Sequence, residues 1–217
     1  MTDVLISLNR GSRRTFHWRQ REVASCIIKH PLYIAEMLTP TGLADDCQVD
    51  HKNHGGPDKA LLVIPAANYA RFGVHKHWGF LGENLTFPDR LDEKCVHLGD
   101  RFQLGDVLLE VTQPRSPCWK LDELAKTQAG KHHFLQTYAG SGHVGFYVRV
   151  LRTGLLCAGL SIEHQPAEQP APSIHALFLA KHGGGKTAEQ RSIIEQALAH
   201  PALSTAWREE LGQLLKR

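Results

Sequence analysis

Through residues 1–165 the apolar stretches are short, and turn-forming residues cut them apart. "DVLISL" (3–8), "VASCIIK" (23–29), "ALLVIP" (60–65), "DVLLEVTQ" (106–113) and "GFYVRVL" (145–151) are separated by glycine, proline and aspartate. Runs of this length, rich in β-branched and aromatic residues, read as strands rather than as packed helices. They do not alternate with long helical patterns, so a sandwich or barrel is expected rather than βαβ units. "LGDRFQLGDVLLEV" (98–111) gives the clearest local case: a strand, a glycine–aspartate turn, and a second strand.

The pattern changes after residue 165. "QPAEQPAP" (165–172) has no hydrophobic period and reads as a linker. Beyond it, residues 173–217 carry about three amphipathic helices. Thr187 followed by Gln190 is a capping-box pattern, and Ile193, Ile194, Ala197 and Leu198 then share one helical face. Ser204 caps a further helix bearing Trp207, Leu211, Leu214 and Leu215. The chain thus divides into a mainly β domain, 1–165, and a small helical appendage, 173–217. That appendage is expected to close over the barrel or to meet a second subunit.

Composition narrows the function class. A net charge of +3 is too small to argue for nucleic acid, and the densest basic stretch, "RGSRRTFHWRQRE" (10–22), reads as a solvated loop. No apolar run approaches the roughly twenty residues of a membrane span. The five cysteines contain no C-x-x-C pair, and no signal-peptide pattern opens the chain. A reducing cytoplasm without disulfides is therefore expected. Cys26 and Cys157 read as interior packing positions, and Cys47 and Cys95 as loop residues.

Three chemical patterns fail on context. "GSGHVG" (140–145) fits G-x-G-x-x-G but precedes a strand, whereas a dinucleotide loop must open a helix. "AKHGGGKT" (180–187) has no later acidic strand to hold a metal, so it reads as a helix stop and loop. The histidines of "HKNH" (51–54), "HKH" (75–77) and His132–His133 lack H-E-x-x-H spacing and an acid placed to complete a zinc site.

"TQPRSPCWKLDE" (112–123) is different. Pro114 and Pro117 fix the chain just before Cys118, which is expected in neither a helix nor a paired strand. Arg115 and Lys120 flank it with positive charge, which favours the thiolate that attacks carbon or binds metal. A small buried thiol remains the alternative on these residues alone.

Taken with "KNHGGPDKAL" (52–61), "GENLT" (82–86) and "GSGHVGFYVRVLRTG" (140–154), this segment resembles the MOSC domain, and in particular its bacterial YiiM type. The resemblance covers nearly the whole chain and implies a β-barrel with about three C-terminal helices. It further implies binding of molybdenum cofactor, with Cys118 as both thiolate ligand to molybdenum and catalytic residue. His54, Gly55, Gly56, Lys59, Glu83, Asn84, Arg115, Ser116 and Lys120 would then bind the cofactor, whose pterin carries a phosphate. The implied activity is reduction of N-hydroxylated compounds such as hydroxylamino purines. Electrons would come from a flavin or iron–sulfur reductase, since the chain shows no cluster pattern of its own. A non-catalytic carrier of the cofactor needs the same residues. So, in part, does a metal-free cysteine nucleophile with His54 as base. Asp45, Leu81 and Leu160 depart from the family pattern, with Leu81 expected to alter the pocket.

Overall fold

The computed structural model describes residues 2–18, 21–47, 55–126 and 134–216. Its strands are β1 (Asp3–Val4), β2 (Ser7–Gly11), β3 (Arg14–Trp18), β4 (Arg21–Ser25), β5 (Lys29–Pro31), β6 (Glu36–Thr39) and β7 (Gly42–Leu43). A 3-10 turn, Pro57–Lys59, leads into β8 (Leu61–Pro65), helix α1 (Ala67–Arg71) and β9 (Leu85–Phe87). The hairpin β10 (Arg101–Leu104) and β11 (Val107–Pro114) precedes helices α2 (Lys120–Lys126) and α3 (Phe134–Gly140). Then come β12 (Phe146–Arg152), β13 (Gly154–Leu156), β14 (Ser161–Gln165), α4 (Ile174–His182), α5 (Ala188–Ala199) and α6 (Thr205–Leu215).

Nine strands form one sheet in the order β1-β14-β10-β11-β12-β8-β9-β2-β5, curled into a half-barrel. Its pairings are antiparallel except β8 with β9. The period-2 alternation of side chains decides where the core sits. In β8, Leu61 and Val63 enter the concave core with Leu85, Phe87, Phe102, Val111 and Phe146. Leu62 and Ile64 of the same strand face the opposite way, among Leu98, Tyr138, Tyr147 and the helices. The unbroken "LLVI" run is the signature of a strand buried on both faces.

The C-terminal helices supply the second layer. Leu177, Phe178, Ile194, Ala197, Trp207 and Leu211 share one buried cluster with Leu62, Ile64 and Tyr147 of the sheet. Ile174, at the start of α4, enters the concave core itself. The expected helix signals are all present. Thr187 and Gln190 form a complete capping box, and the Ser204 side chain accepts from the Trp207 amide. The glycines after α4 end that helix, Gly184 and Gly185 taking φ of 79° and 62°. "GSGHVG" is likewise a glycine turn into β12.

Three expectations need correction. The stretch 10–22, expected as a loop, instead carries strands: Arg14–Trp18 pairs with Arg21–Ser25 as a two-stranded ribbon, favoured by Thr15, Phe16 and Val23. And Cys26 is disulfide-bonded to Cys47, with their Cα atoms 5.7 Å apart. "VASCIIK" is no continuous strand; β4 ends at Ser25 and β5 begins at Lys29, leaving Cys26 in a connection that meets the chain beyond β7. Separation along the sequence hid that meeting. Cys157 is only half-buried, in the turn after β13, and not an interior position.

Candidate functional site

Strand β11 delivers the chain to the site through a bulge. Val111 pairs with Val148 and Gln113 with Tyr147, so Thr112 is an extra residue. Bulges bend a strand and re-aim its end. Here the Thr112 hydroxyl donates to the carbonyls of Asp58 (2.6 Å) and Tyr147 (3.2 Å). The Arg115 amide donates to the Gly145 carbonyl at 3.0 Å, which pins the last residue before the open turn. Residues 115–118 are neither helix nor strand, as the two prolines predict, and α2 begins only at Lys120. Cys118 is half-buried and stands where two pockets adjoin.

The first pocket, about 690 Å³ with its open mouth, lies between the turn and the connections after β4 and β7. Lys29, Lys59, Arg115 and Lys120 line it against the single lining carboxylate of Asp46. Asp46 is already committed: its carboxylate binds Lys29 Nζ at 2.5 Å and accepts from Asn84 Nδ2 at 2.8 Å and the Gly11 amide at 2.8 Å. The excess charge of the lining is therefore positive, which suits an anionic ligand. The disulfide between Cys26 and Cys47 forms part of the same wall.

Arg115 is the most informative of these cations. It is 5% exposed, yet its Nη1 has no hydrogen-bond partner among the described residues. Burial opposes its charge, but the surrounding acidic groups of Tyr138, Tyr147, Cys118 and Glu83 more than offset this and hold its pKa above the ordinary value. Gly82 makes room for it: at φ 97° it has no side chain, and an added Cβ would lie 3.5 Å from Arg115 Nη2 and 3.1 Å from Ile27. A buried guanidinium with an unused donor is costly unless a ligand completes it. Tyr147 borders both pockets, and burial pushes its phenol pKa up, so it stays a donor.

The other expected site residues fall into distinct groups. Lys59, Ser116 and Lys120 line both pockets, and Asn84 lines the first, where it also holds the wall together. Glu83 stands behind the wall, fully buried. Its Oε1 accepts from the Tyr69 hydroxyl (2.7 Å), the Gly79 amide (2.7 Å) and the Thr86 hydroxyl (3.1 Å), and burial raises its pKa. Gly55 and Gly56 lead into the 3-10 turn rather than into either pocket lining. Gly56 is set by its φ of 91°, since an added Cβ would meet nothing within 4 Å. His54 lies outside the described residues, as do His51, His132 and His133. Leu81 is buried among core side chains rather than in a pocket wall, and Asp45 is an exposed partner of Arg10.

Sequence reasoning missed several neighbours. Lys29 and Asp46 form their buried pair from separate segments, and Tyr147 and the Cys26–Cys47 pair reach the pocket only through sheet topology. It also missed a cluster of Asp92, Glu93 and His143, whose ligating atoms lie within 4.8 Å of one another. The Glu93 oxygens accept from Asn68 Nδ2 and the Gly145 amide, both at 2.7 Å, and meet His143 Nδ1 at 2.9 Å. This carboxylate clamps the turn into β12, and thereby the segment that anchors Arg115. His77, from "HKH", stacks on His30 with ring centroids 4.4 Å apart.

The second pocket lies on the far side of Cys118. Gln113, Pro117 and Trp119 form one wall, and Ala206, Trp207 and Glu210 of α6 form the other. The start of α6 is tied beside it: Asp58 Oδ2 accepts from the Thr205 amide at 3.1 Å, while Asp58 Oδ1 pairs with Arg149 at 3.1 Å. No helix among the described residues is long and apolar enough to cross a membrane.

Comparison with known proteins identifies the family and the fold. The MOSC domain profile matches residues 50–163. YflK of Bacillus subtilis (strain 168) is 34% identical over 208 residues, covering 94% of this chain and 90% of that protein. YiiM of Escherichia coli (strain K12) is 37% identical over 139 residues, 58% of each chain. The crystal structure of YiiM from Geobacillus stearothermophilus superposes with a TM-score of 0.77 at 28% identity, covering 97% of this chain and 98% of that one.

Proposed function

The chain belongs to the MOSC domain family, which is associated with molybdenum cofactor, and from that premise we propose that it is a molybdenum-dependent reductase of N-hydroxylated compounds. The observation that carries the reading is the position of Cys118 between two pockets, one cationic with an unfilled buried guanidinium, the other open beside it. The residues present fit the cofactor. Thiolate is a soft ligand of the kind redox metals take, and the first pocket offers the charge for a pterin phosphate.

In this reading Cys118 Sγ is the ligand to molybdenum, held in direction by Pro117 and by the start of α2. The Arg115 guanidinium takes a phosphate or pterin oxygen through its free Nη1, and Lys59 and Lys120 add point charges at the shared rim. Asn84 keeps Asp46 turned to Lys29, so that no carboxylate competes with the anion. The Tyr147 phenol offers an O–H to the pockets that Cys118 also lines. Once bound, the cofactor supplies two-electron redox chemistry: R–NHOH, two electrons and two protons give R–NH₂ and water. The electrons come from a flavin or iron–sulfur reductase, and substrates of the hydroxylamino-purine class fit the reaction. The protein then serves to detoxify such bases.

A carrier would need the first pocket alone. The test is turnover: protein from a host that makes molybdenum cofactor, given a chemical electron donor, should convert 6-hydroxylaminopurine to adenine. Molybdenum-loaded protein that releases its cofactor to an apo-enzyme but does not reduce the base would establish the carrier instead.

A further inference from the structure

Resting on that reading, we propose that the second pocket is the substrate site, and that it takes a flat N-hydroxylated heterocycle whose N–H donates to Gln113 Oε1.

Gln113 is 1% exposed and lines this pocket, yet Oε1 has no hydrogen-bond partner among the described residues. The orientation of its amide is set by chemistry. Nε2 donates to the Pro114 carbonyl at 3.2 Å, and a flipped amide would bring oxygen against oxygen. An acceptor so buried selects for a ligand that brings a donor, and it discriminates against one that does not. A heterocyclic base carries such N–H groups at its edge.

The remaining walls suit the rest of that ligand. Pro117 and Trp119, both half-buried, offer apolar surface to a ring, and Trp207 backs the pocket behind them. The indole of Trp207 is fixed in place: it is 1% exposed, and Lys181 Nζ sits 3.9 Å over its ring while also pairing with Glu210. Cys118 borders the space, so a base seated on Gln113 directs its exocyclic hydroxylamino group toward the reacting centre. There the N–O bond breaks as two electrons enter from the reductase; of two protons drawn from solvent, one joins the departing hydroxyl to give water and the other stays on nitrogen to give R–NH₂. The arrangement also gives the C-terminal helices a role, because α6 contributes Ala206, Trp207 and Glu210 to the lining.

The test measures binding rather than turnover. Adenine and 6-hydroxylaminopurine are titrated by calorimetry into the full-length wild type, Gln113→Leu and Ala206→Phe, with molybdenum content measured for each. Gln113→Leu should bind both bases about tenfold more weakly, the loss of one good hydrogen bond. Ala206→Phe fills the pocket from α6 and should abolish binding, and it keeps the test valid if Gln113→Leu fails to fold. Both variants should hold as much molybdenum as wild type. Undiminished binding in both folded variants, no binding by wild type, or losses that only track loss of metal would overturn the assignment. Wild type that binds bases but never holds molybdenum would leave this pocket standing and refute the cofactor reading instead.

Discussion

Cys26 and Cys47, which lie 21 positions apart in sequence, meet as a disulfide in the wall of the pocket that Cys118 also lines. The bridge ties the connection after β4 to the chain leaving β7, beside the buried Lys29–Asp46 pair. Thiol titration of the unfolded protein should therefore find three free thiols before reduction and five after it. Closing a loop of this size is worth about 3 kcal/mol. Reductant should lower the melting temperature of wild type and leave Cys47→Ser unmoved. Five thiols in protein purified without reductant would contradict the pairing.

Arg115 should act through its charge and its fork. Arg115→Ala is expected to lower molybdenum content at least tenfold, and Arg115→Lys to restore part of it, because lysine offers a point charge without the bidentate grip. Elemental analysis of the three proteins decides this. An alanine variant that keeps its metal in high salt would make Arg115 structural.

His200 gives the account a pH signature. Its ring is buried, an added Cβ on Gly99 would strike it, and Nδ1 accepts from the Ala202 amide at 3.2 Å, which requires the neutral form. Burial is the main cause of its lowered pKa, with Arg208 adding to it and Glu110 and Asp100 opposing. The unfolded chain takes up a proton near pH 6.5 and the folded chain does not, so stability falls as pH drops through that value. His175 and His182 shift in the same direction. His200→Gln should make the fall in melting temperature between about pH 7.5 and 5.5 shallower. An unchanged profile would mean that His200 does not titrate in this range.

The helical tail shares its core with the sheet. Trp207, Phe178 and Leu177 pack with Leu62, Ile64 and Tyr147, and Ile174 enters the concave core. Each such side chain contributes about 1.5–3 kcal/mol by burial. A chain ending at residue 172 should therefore be insoluble or molten, where a separable appendage would leave an intact barrel. A soluble, cooperatively melting truncated barrel would show the appendage to be separable.

How much of this was legible depended on the range of the interaction. The β10–β11 hairpin, the glycine turn into β12, the capping box at Thr187 and the open turn at Cys118 are local, and neighbouring residues in the chain specify them. The ribbon at 14–25 was readable in principle from Thr15, Phe16 and Val23, but its charges masked the pattern. Lys29, Asp46 and Tyr147 carry no local mark, since they reach the pocket by strand order. The Cys26–Cys47 pair was hidden for the same reason. Gln113 was hidden more deeply: its importance lies in a partner it lacks, which only packed side chains reveal.

The central claim is that Cys118 holds molybdenum. Wild-type and Cys118→Ser protein, purified from a host that makes molybdenum cofactor, should be compared by elemental analysis. About one molybdenum atom per chain is expected in wild type and almost none in the serine variant, with closely similar melting temperatures, because a hydroxyl stays protonated and is a poor soft-metal ligand. Equal molybdenum in both proteins would contradict the account.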